Sequence, residues 1–142
     1  MGIHKPLFAT PQDAEAAFYE ALEQADLEAM MSVWAEDEEI VCVHPGGPRL
    51  IGYAAVREAW RRIFEGGRRL FVSLSNQVYL QSMLLSVHSL HEHIGLSRDE
   101  GLTAPVVATN IYVRGALGWR LLAHHASPAP PDSAAEMNKT LH

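Results

Sequence analysis

The chain has 142 residues and a single cysteine, so it is long enough for one domain with a sizeable core and carries no disulfide framework. Its formal charge of −6 argues against a nucleic-acid partner, because binding to phosphates needs a net positive face. We find no apolar run long enough to span a membrane and no signal-peptide pattern in residues 1–10, and therefore expect a cytoplasmic protein without a membrane partner.

Residues 11–34 show the apolar period of two consecutive helices. Thr10 is a favourable capping residue, and Pro11 suits the first helical position. Apolar residues then recur at spacings of three and four, which gives the helix one buried face. Asp26 can cap a second, short helix that ends near Trp34. The pattern predicts a pair of helices in series.

Residues 41–52 combine a short β-branched strand with a rigid turn that leads into a third helix, predicted from about residue 54 to residue 64. Pro45 locks its own φ angle, and Gly46 permits conformations that other residues avoid. Because the turn fixes the backbone path, His44 at its start has a defined direction. This histidine is our first candidate for a working side chain.

From residue 69 onward the apolar period changes to two, as is typical of strands. Short polar or glycine-containing links separate the strands and imply antiparallel hairpins. Several strands carry apolar residues on both faces, which predicts that a second copy of the chain covers the outer face of the sheet. The predicted strands span residues 70–80, 84–96, 103–114 and 119–127.

Several short segments occur together in a characteristic order. They are Phe18-Tyr19-Glu20-Ala21-Leu22, Asp26-Leu27-Glu28-Ala29, Trp34-Ala35-Glu36-Asp37, His44-Pro45 with Arg49-Leu50-Ile51-Gly52, and the closing strand 118–128. In this order they resemble the nuclear-transport-factor-2-like superfamily, in particular its SnoaL-like and ketosteroid-isomerase-like branch. The closing strand also resembles the association domain of calmodulin-dependent kinases.

The resemblance implies an α+β fold in the shape of a cone-like half barrel. Three helices from the N-terminal half would pack in the concave face of a curved, mostly antiparallel sheet, and a homodimer would form through the outer sheet face. We expect an N-terminal arm at residues 1–10, the SnoaL-like domain at residues 11–128 and a flexible tail at residues 129–142. Function does not follow from this fold, which serves enzymes and assembly domains alike.

In the isomerase branch, an aspartate directly before the proline of the turn acts as the base, and His44 stands at this position here. A histidine is able to perform the same task, because its ordinary pKa leaves it largely neutral at pH 7. The alternative is that His44 caps the turn by hydrogen bonding to the backbone.

The same branch places a tyrosine on the first helix to hold a developing oxyanion. Its counterpart by spacing from Asp26 is Phe18, which has no hydroxyl, while Tyr19 points about a quarter turn away. This difference argues against an isomerase, since such a donor supplies a large part of the catalysis.

Other side chains are candidates for the pocket. Asn110 falls where the kinase association domain has a pocket arginine. The same resemblance implies that the strand face of His124 points inward, with Trp119 and His125 on the other face. We expect His44, Asn110 and His124 to line one cavity next to Phe18, with three further aromatic residues as its walls or as plain core. These residues are Trp34, Trp60 and Tyr112.

His91 and His93 project from one face of a strand and would need a third ligand to hold a metal. No carboxylate stands at a spacing typical of a metal site, so we expect no metal and no cofactor. We expect both histidines to lie near the dimer face or the sheet edge. Cys42 alternates with His44 and is interpreted as a buried thiol.

Two hypotheses for function stay open. The first is a small-molecule-binding protein that transfers a proton on an apolar or aromatic ligand without a cofactor, as isomerases, cyclases and dehydratases do, with His44 as the base. The second is a non-catalytic ligand-binding or dimeric assembly module of the same fold.

Overall fold

The computed structural model describes residues 6–36, 39–96 and 105–130. Three helices pack against one six-stranded sheet in this part of the chain. The helices are α1 (Pro11–Gln24), α2 (Leu27–Val33) and α3 (Tyr53–Ile63). The strands are β1 (Val41–Val43), β2 (Arg49–Ile51), β3 (Phe71–Gln81), β4 (Leu85–Gly95), β5 (Val106–Gly115) and β6 (Gly118–Pro128).

The first two helices begin at the predicted caps. The side chain of Thr10 accepts a hydrogen bond of 3.0 Å from the backbone N–H of Asp13, and that of Asp26 accepts one of 3.0 Å from Ala29. Each bond satisfies a backbone donor that the first helical turn leaves without an intrahelical partner. The two caps therefore fix where α1 and α2 start and how the helix pair turns.

The turn after His44 is the connection of a β-hairpin, which the sequence analysis did not predict. The N–H of Gly47 donates to the carbonyl of His44 at 2.8 Å, and Gly46 has a φ of 73°. With Pro45 before it, this is the pattern of a type II turn, which requires glycine at its third position. The chain then returns as β2 beside β1 before α3 begins.

The strands form a single open sheet in the order β2-β1-β6-β5-β4-β3. Only β1 and β6 run parallel, and the other neighbouring pairs are antiparallel. The sheet curves around the three helices without closing. The predicted α+β half barrel is therefore confirmed.

One register row crosses the inner face of the sheet and collects several polar side chains. Tyr79 of β3 lies opposite His88 of β4, which in turn lies opposite Asn110 of β5. His124 of β6 comes next, and Cys42 of β1 ends the row. These five residues, which we call the inner row, face the helices, and α1 reaches them with its own polar groups.

A bulge between β5 and β6 overturns one part of the parity prediction. The pairing shifts between Ile111 and Tyr112, so that Tyr112 lies opposite Leu121 whereas Asn110 lies opposite His124. Inner-face positions of β6 are thus odd-numbered before the shift and even-numbered after it. Trp119 consequently shares the face of Leu121 and His124, and its predicted place on the opposite face is wrong.

The outer face carries an apolar row of its own. Leu80, Val87, Ile111 and Ala123 lie opposite one another across the four long strands. Leu80 is 65% exposed, and the other three are half-buried in the single chain. We call this set the outer row, and it marks the face that the sequence analysis expects a second copy to cover.

The segment before α1 packs against the last strand. Phe8 pairs with Gly118 in an isolated bridge, and the guanidinium of Arg120 lies 4.9 Å from the centre of the Phe8 ring and donates to the carbonyl of Pro6 at 2.6 Å. At the other end, the N–H of Ala129 bonds to the carbonyl of Pro105 at 2.9 Å. The predicted tail from residue 131 onward lies outside the described residues.

None of the helices in the described residues combines the length and the apolar character that a membrane crossing requires.

Candidate functional site

Phe18 stands at the centre of a cluster of rings inside the cone. It is completely buried on α1, and its ring centre lies 5.7 Å from that of Trp60, 5.0 Å from that of His124 and 6.4 Å from that of Trp34. Phe18 meets the rings of Trp60 and Trp34 edge-on, which is a favourable geometry for aromatic pairs. The cluster joins α1, α3 and β6 to the residue that follows α2.

His44 lies at the solvent side of this cluster. Its ring meets Trp60 edge-on with centres 4.6 Å apart, and the centre of the His124 ring is 6.3 Å away. His44 is half-buried, whereas Trp60 and His124 are buried. Burial lowers the pKa of His44 below its ordinary value of 6.5. The imidazole is therefore neutral at pH 7 and able to accept a proton.

Cys42 shares the inner face with His44 but is not poised to react. Its Sγ atom lies 3.6 Å from Nε2 of His44, and the thiol is completely buried. Burial, followed by the nearby charge of Glu92, raises the pKa of Cys42 to about 12. Because the thiolate is the nucleophilic form, this cysteine stays an inert thiol at neutral pH.

A chain of hydrogen bonds leads from His124 across the interior. Nδ1 of His124 lies 2.5 Å from Oδ1 of Asn110, and Nδ2 of Asn110 donates to the hydroxyl of Tyr19 at 2.8 Å. The Tyr19 hydroxyl in turn donates to Oε2 of Glu92 at 2.6 Å. All four residues are buried, and these bonds give each of them at least one hydrogen-bond partner.

The direction of these bonds fixes the tautomer of His124. Asn110 uses its amide N–H to donate to Tyr19, so its carbonyl oxygen must accept from His124. The proton of the neutral imidazole therefore sits on Nδ1, and Nε2 carries a lone pair. Burial, with smaller contributions from His44 and His125, lowers the pKa of His124 to about 3.

Tyr19 corrects the expectation that the first helix offers no hydroxyl to the interior. Phe18 fills the ring cluster, as its position predicted, but Tyr19 also turns inward, with its ring edge-on to Phe18 at 4.8 Å. Its hydroxyl is already occupied, because it donates to Glu92 and accepts from Asn110. Burial and the adjacent Glu92 raise the pKa of Tyr19 above its ordinary value. The hydroxyl orients the chain that ends at His124.

Tyr112 and Trp34 contact rings other than that of His44. The ring of Tyr112 lies 4.8 Å from that of His88, and Trp34 reaches the cluster through Phe18. The Tyr112 hydroxyl and the indole N–H groups of Trp34 and Trp60 are buried and have no hydrogen-bond partner among the described residues. The structure thus brings His44, Trp60, Phe18, His124 and Asn110 together and places Tyr112 and Trp34 at the border of this group.

The sequence analysis missed Tyr19 and Glu92 as members of this site. Two signals pointed to them: Glu15 and Tyr19 are four residues apart on one face of α1, and Glu92 shares the strand parity of His88. Burial raises the pKa of Glu92 above its ordinary value, and the bond from Tyr19 acts in the opposite direction. Its carboxyl group ends the hydrogen-bonded chain.

Within residues 6–36, 39–96 and 105–130, no group of three His, Cys, Asp or Glu side chains has an arrangement that would hold a metal ion. His93 instead bonds to Ser75 at 2.8 Å, and His91 bonds to Asn76 at 3.0 Å. Both partners belong to the edge strand β3. His91 and His93 lie on the face of β4 opposite to that of His88 and Glu92.

A model of the SnoaL-like domain matches residues 12–131. The chain is also similar to a solved structure from Thiobacillus denitrificans that bears the provisional name of a calcium/calmodulin-dependent protein kinase type II association domain. The two are 36% identical, the match covers 88% of this chain and 99% of that chain, and the TM-score is 0.82.

A second solved structure, from Streptomyces avermitilis, is provisionally named a dehydratase of the nuclear-transport-factor-2-like family. It is 30% identical, with 82% of this chain and 91% of that chain covered and a TM-score of 0.71. A protein of the same fold and unknown function from Pseudomonas putida is 18% identical, with coverage of 88% and 87% and a TM-score of 0.74. None of the curated proteins matches the chain.

Proposed function

Because the chain belongs to the SnoaL-like family, we propose that its interior binds an apolar or aromatic small molecule and transfers a proton on it, with His44 as the base. The observation that carries this proposal is the pairing of two neutral imidazoles, with ring centres 6.3 Å apart, between the rings of Trp60 and Phe18. Aromatic walls with few polar groups are typical of small-molecule sites.

The roles of the side chains follow from their protonation. His44 is half-buried and neutral, so it takes a proton from an acidic carbon of the ligand. Trp60 has a buried indole N–H without a hydrogen-bond partner in the described part of the chain, and this N–H suits a carbonyl oxygen on the same ligand. His124 accepts a hydrogen bond through Nε2 and is held in place by Asn110.

The similarity to the Streptomyces protein supports this proposal, because a dehydratase moves a proton from a carbon atom. The ligand class that suits the site is an uncharged carbonyl compound with an apolar or aromatic body. A charged carboxylate suits it less, since the buried rings of Phe18 and Trp60 would not replace the water that solvates the charge.

Replacing His44 with alanine is expected to abolish exchange of the acidic carbon proton of such a ligand. We would screen aromatic and alicyclic ketones for a rise in melting temperature and follow deuterium exchange of the hits by NMR in heavy water. Loss of a general base costs about a hundredfold or more in rate. The matched control is His125→Ala, because His125 is exposed and follows His124 on the same strand.

Three outcomes separate the hypotheses. Exchange that depends on His44 and not on His125 supports the proposal. Binding without exchange in the wild type identifies a non-catalytic binding module. If no ketone raises the melting temperature, or if His44→Ala exchanges at the wild-type rate, the proposed role of His44 is wrong.

The second candidate function is a dimeric assembly module, which the outer row and the similarity to the association domain favour. Leu80, Val87 and Ile111 form an apolar line across three neighbouring strands, and Val78 adds a side chain that is 55% exposed. A two-fold axis through this face would bury the row of each copy against that of the other.

Replacing Val87 with lysine is expected to weaken this dimer by about a hundredfold or more, because two unpaired charges would enter the interface together. Light scattering after size exclusion would measure the mass at several concentrations. Leu117→Lys serves as the control, since Leu117 is 64% exposed in the turn between β5 and β6. A wild-type protein that is monomeric at about 100 μM, a concentration at which specific dimers persist, would contradict the dimer.

A further inference from the structure

A second set of hydrogen-bonded side chains lies at the end of the inner row opposite to Cys42. Nδ1 of His88 lies 3.1 Å from Oε1 of Glu15, and Nε2 of the same ring lies 3.0 Å from Oγ of Ser86. Ser86 and His88 are completely buried on β4, and Glu15 is buried on α1. The proposed function uses none of these three residues.

The donors and acceptors of this set follow from its chemistry. An ionised carboxylate only accepts hydrogen bonds, so Nδ1 of His88 donates to Glu15. In that tautomer Nε2 has a lone pair, which accepts the hydroxyl proton of Ser86. The order of serine hydroxyl, imidazole and carboxylate is that of an activated nucleophile, its base and the group that orients the base.

Glu15 is itself held in place by a further bond. The hydroxyl of Tyr79 donates to Oε2 of Glu15 at 3.0 Å, so each carboxylate oxygen has one partner. Burial and the bond to Glu15 raise the pKa of Tyr79 to about 12, and its hydroxyl therefore stays a donor at neutral pH. The orientation of the imidazole is thus fixed from the carboxylate side.

Tyr112 supplies a hydroxyl that an oxyanion would need. It lies directly opposite Ser86 in the pairing of β4 and β5, and cross-strand neighbours on one face have adjacent side chains. Its hydroxyl is buried and without a partner among the described residues, which is unfavourable for the empty site. A fixed donor of this kind stabilises negative charge that develops on a substrate oxygen.

Tyr79 is the cover of this set. Its ring lies 4.1 Å from that of His88, and it is 41% exposed. It belongs to the edge strand β3, where the pairing shifts between Ser75 and Val78 and Asn76 has a φ of 54°. An edge strand is paired on one side only, so Tyr79 can move outward at lower cost than a residue of a central strand.

We infer that Ser86 is a nucleophile for small activated esters, with His88 as its base, Glu15 as the orienting carboxylate and Tyr79 as a movable cover. In the first step, Oγ of Ser86 bonds to the acyl carbon while the bond from that carbon to the alcohol oxygen breaks. The serine proton passes to Nε2 of His88 and then to the departing alcohol. In the second step, the oxygen of a water molecule bonds to the acyl carbon and the bond from that carbon to Oγ of Ser86 breaks. The water proton passes to Nε2 of His88 and then to Ser86, and the acid leaves.

Covalent labelling tests this inference directly and does not depend on His44. Diisopropyl fluorophosphate would be incubated with the intact protein: Oγ of Ser86 bonds to phosphorus, the phosphorus–fluorine bond breaks, and fluoride and the serine proton leave. We expect one adduct per chain by intact mass, located on Ser86 by peptide mapping. In Tyr79→Ala, labelling should be about tenfold faster, because the gain in access outweighs the loss of the bond from Tyr79 to Glu15.

Variants distinguish a catalytic set from a merely structural one. Labelling should disappear in Ser86→Ala and slow by about a hundredfold or more in His88→Gln and Glu15→Gln. The matched control is Ser89→Ala, since Ser89 lies on the same strand but on the outer face. Circular dichroism would establish that each variant is folded.

The inference is overturned if Ser86 carries no adduct in the wild type and none in Tyr79→Ala. It is also overturned if folded His88→Gln labels at the wild-type rate. Neither result bears on the ketone experiment, so the two proposals fail separately.

Discussion

Replacing Phe18 with alanine is expected to lower the free energy of unfolding by about 3–5 kcal/mol, the usual cost of removing a fully buried phenylalanine. The ring is completely buried and contacts the rings of Tyr19, Trp60 and His124 as well as Trp34. These neighbours come from several elements of the fold, so they cannot all move inward to fill the space. Urea unfolding followed by tryptophan fluorescence would measure the loss.

The control for Phe18→Ala is Leu84→Ala. Leu84 is 62% exposed in the link between β3 and β4, and its truncation should change the free energy of unfolding by less than about 0.5 kcal/mol. A loss below about 1 kcal/mol in Phe18→Ala would show that this ring is not the centre of the packed core.

His124 is expected to make the protein less stable as the pH falls. Its pKa is about 3 in the folded chain, against 6.5 ordinarily, so the unfolded chain binds this proton at a higher pH than the folded chain does. The stabilisation is complete above about pH 6.5 and is lost as the pH falls towards 3. Between pH 7.5 and pH 5 the loss amounts to about 2 kcal/mol.

Comparison with a variant isolates this effect from the other titrating groups. His124→Gln keeps an N–H donor for Asn110 but has no group that titrates in this range. The wild type should lose about 2 kcal/mol more than this variant over the same pH interval, whereas the exposed His125→Gln should behave as the wild type does. Equal pH dependence in wild type and His124→Gln would mean that His124 binds its proton at the same pH in the folded and the unfolded chain, so that burial does not lower its pKa.

Local signals in the sequence account for most of the fold. Thr10 and Asp26 are good caps, and they fix the starts of α1 and α2 by the bonds that such residues make. Strand periodicity located the four long strands to within a few residues. These features depend on neighbours within a few positions, so a single sequence is enough to predict them.

Features that depend on distant pairing were missed or misplaced. The strand β2 has three residues, too few for a periodic pattern, and it exists because β1 pairs with it. The face of Trp119 was wrong because the bulge at Ile111 and Tyr112 reverses the parity of β6. A bulge leaves no clear mark in the sequence of either strand.

The same division applies to the candidate site. His44, Asn110 and His124 were named from the sequence, since the turn gives His44 a defined direction and the resemblance to the kinase association domain assigns an inward face to the other two. The bond from Asn110 to Tyr19 and the bond from Tyr19 to Glu92 join α1 to β5 and β4. Such bonds depend on the angle at which the helix crosses the sheet, which local sequence patterns do not encode. The functional roles of these residues stay predictions.

The two sets of interior side chains divide the inner row between them. Asn110 and His124 belong to the chain that ends at Glu92, whereas His88 and Tyr79 bond with Glu15. Tyr19 and Glu15 sit one turn apart on α1 and anchor one set each. One face of α1 thus supplies a hydrogen-bonding side chain to each of two neighbouring histidine sites. One histidine lies beside aromatic rings and the other beside a serine.

The most direct measurement of the central proposal is a crystal structure of the protein with the tightest-binding ketone from the screen. We predict that the ligand lies against the rings of His44 and Trp60, with its carbonyl oxygen within about 3.2 Å of the indole nitrogen of Trp60 and its acidic carbon next to the imidazole of His44. A ligand bound only at the outer face of the sheet, with the rings of Phe18, Trp60 and His124 untouched, would contradict the proposal.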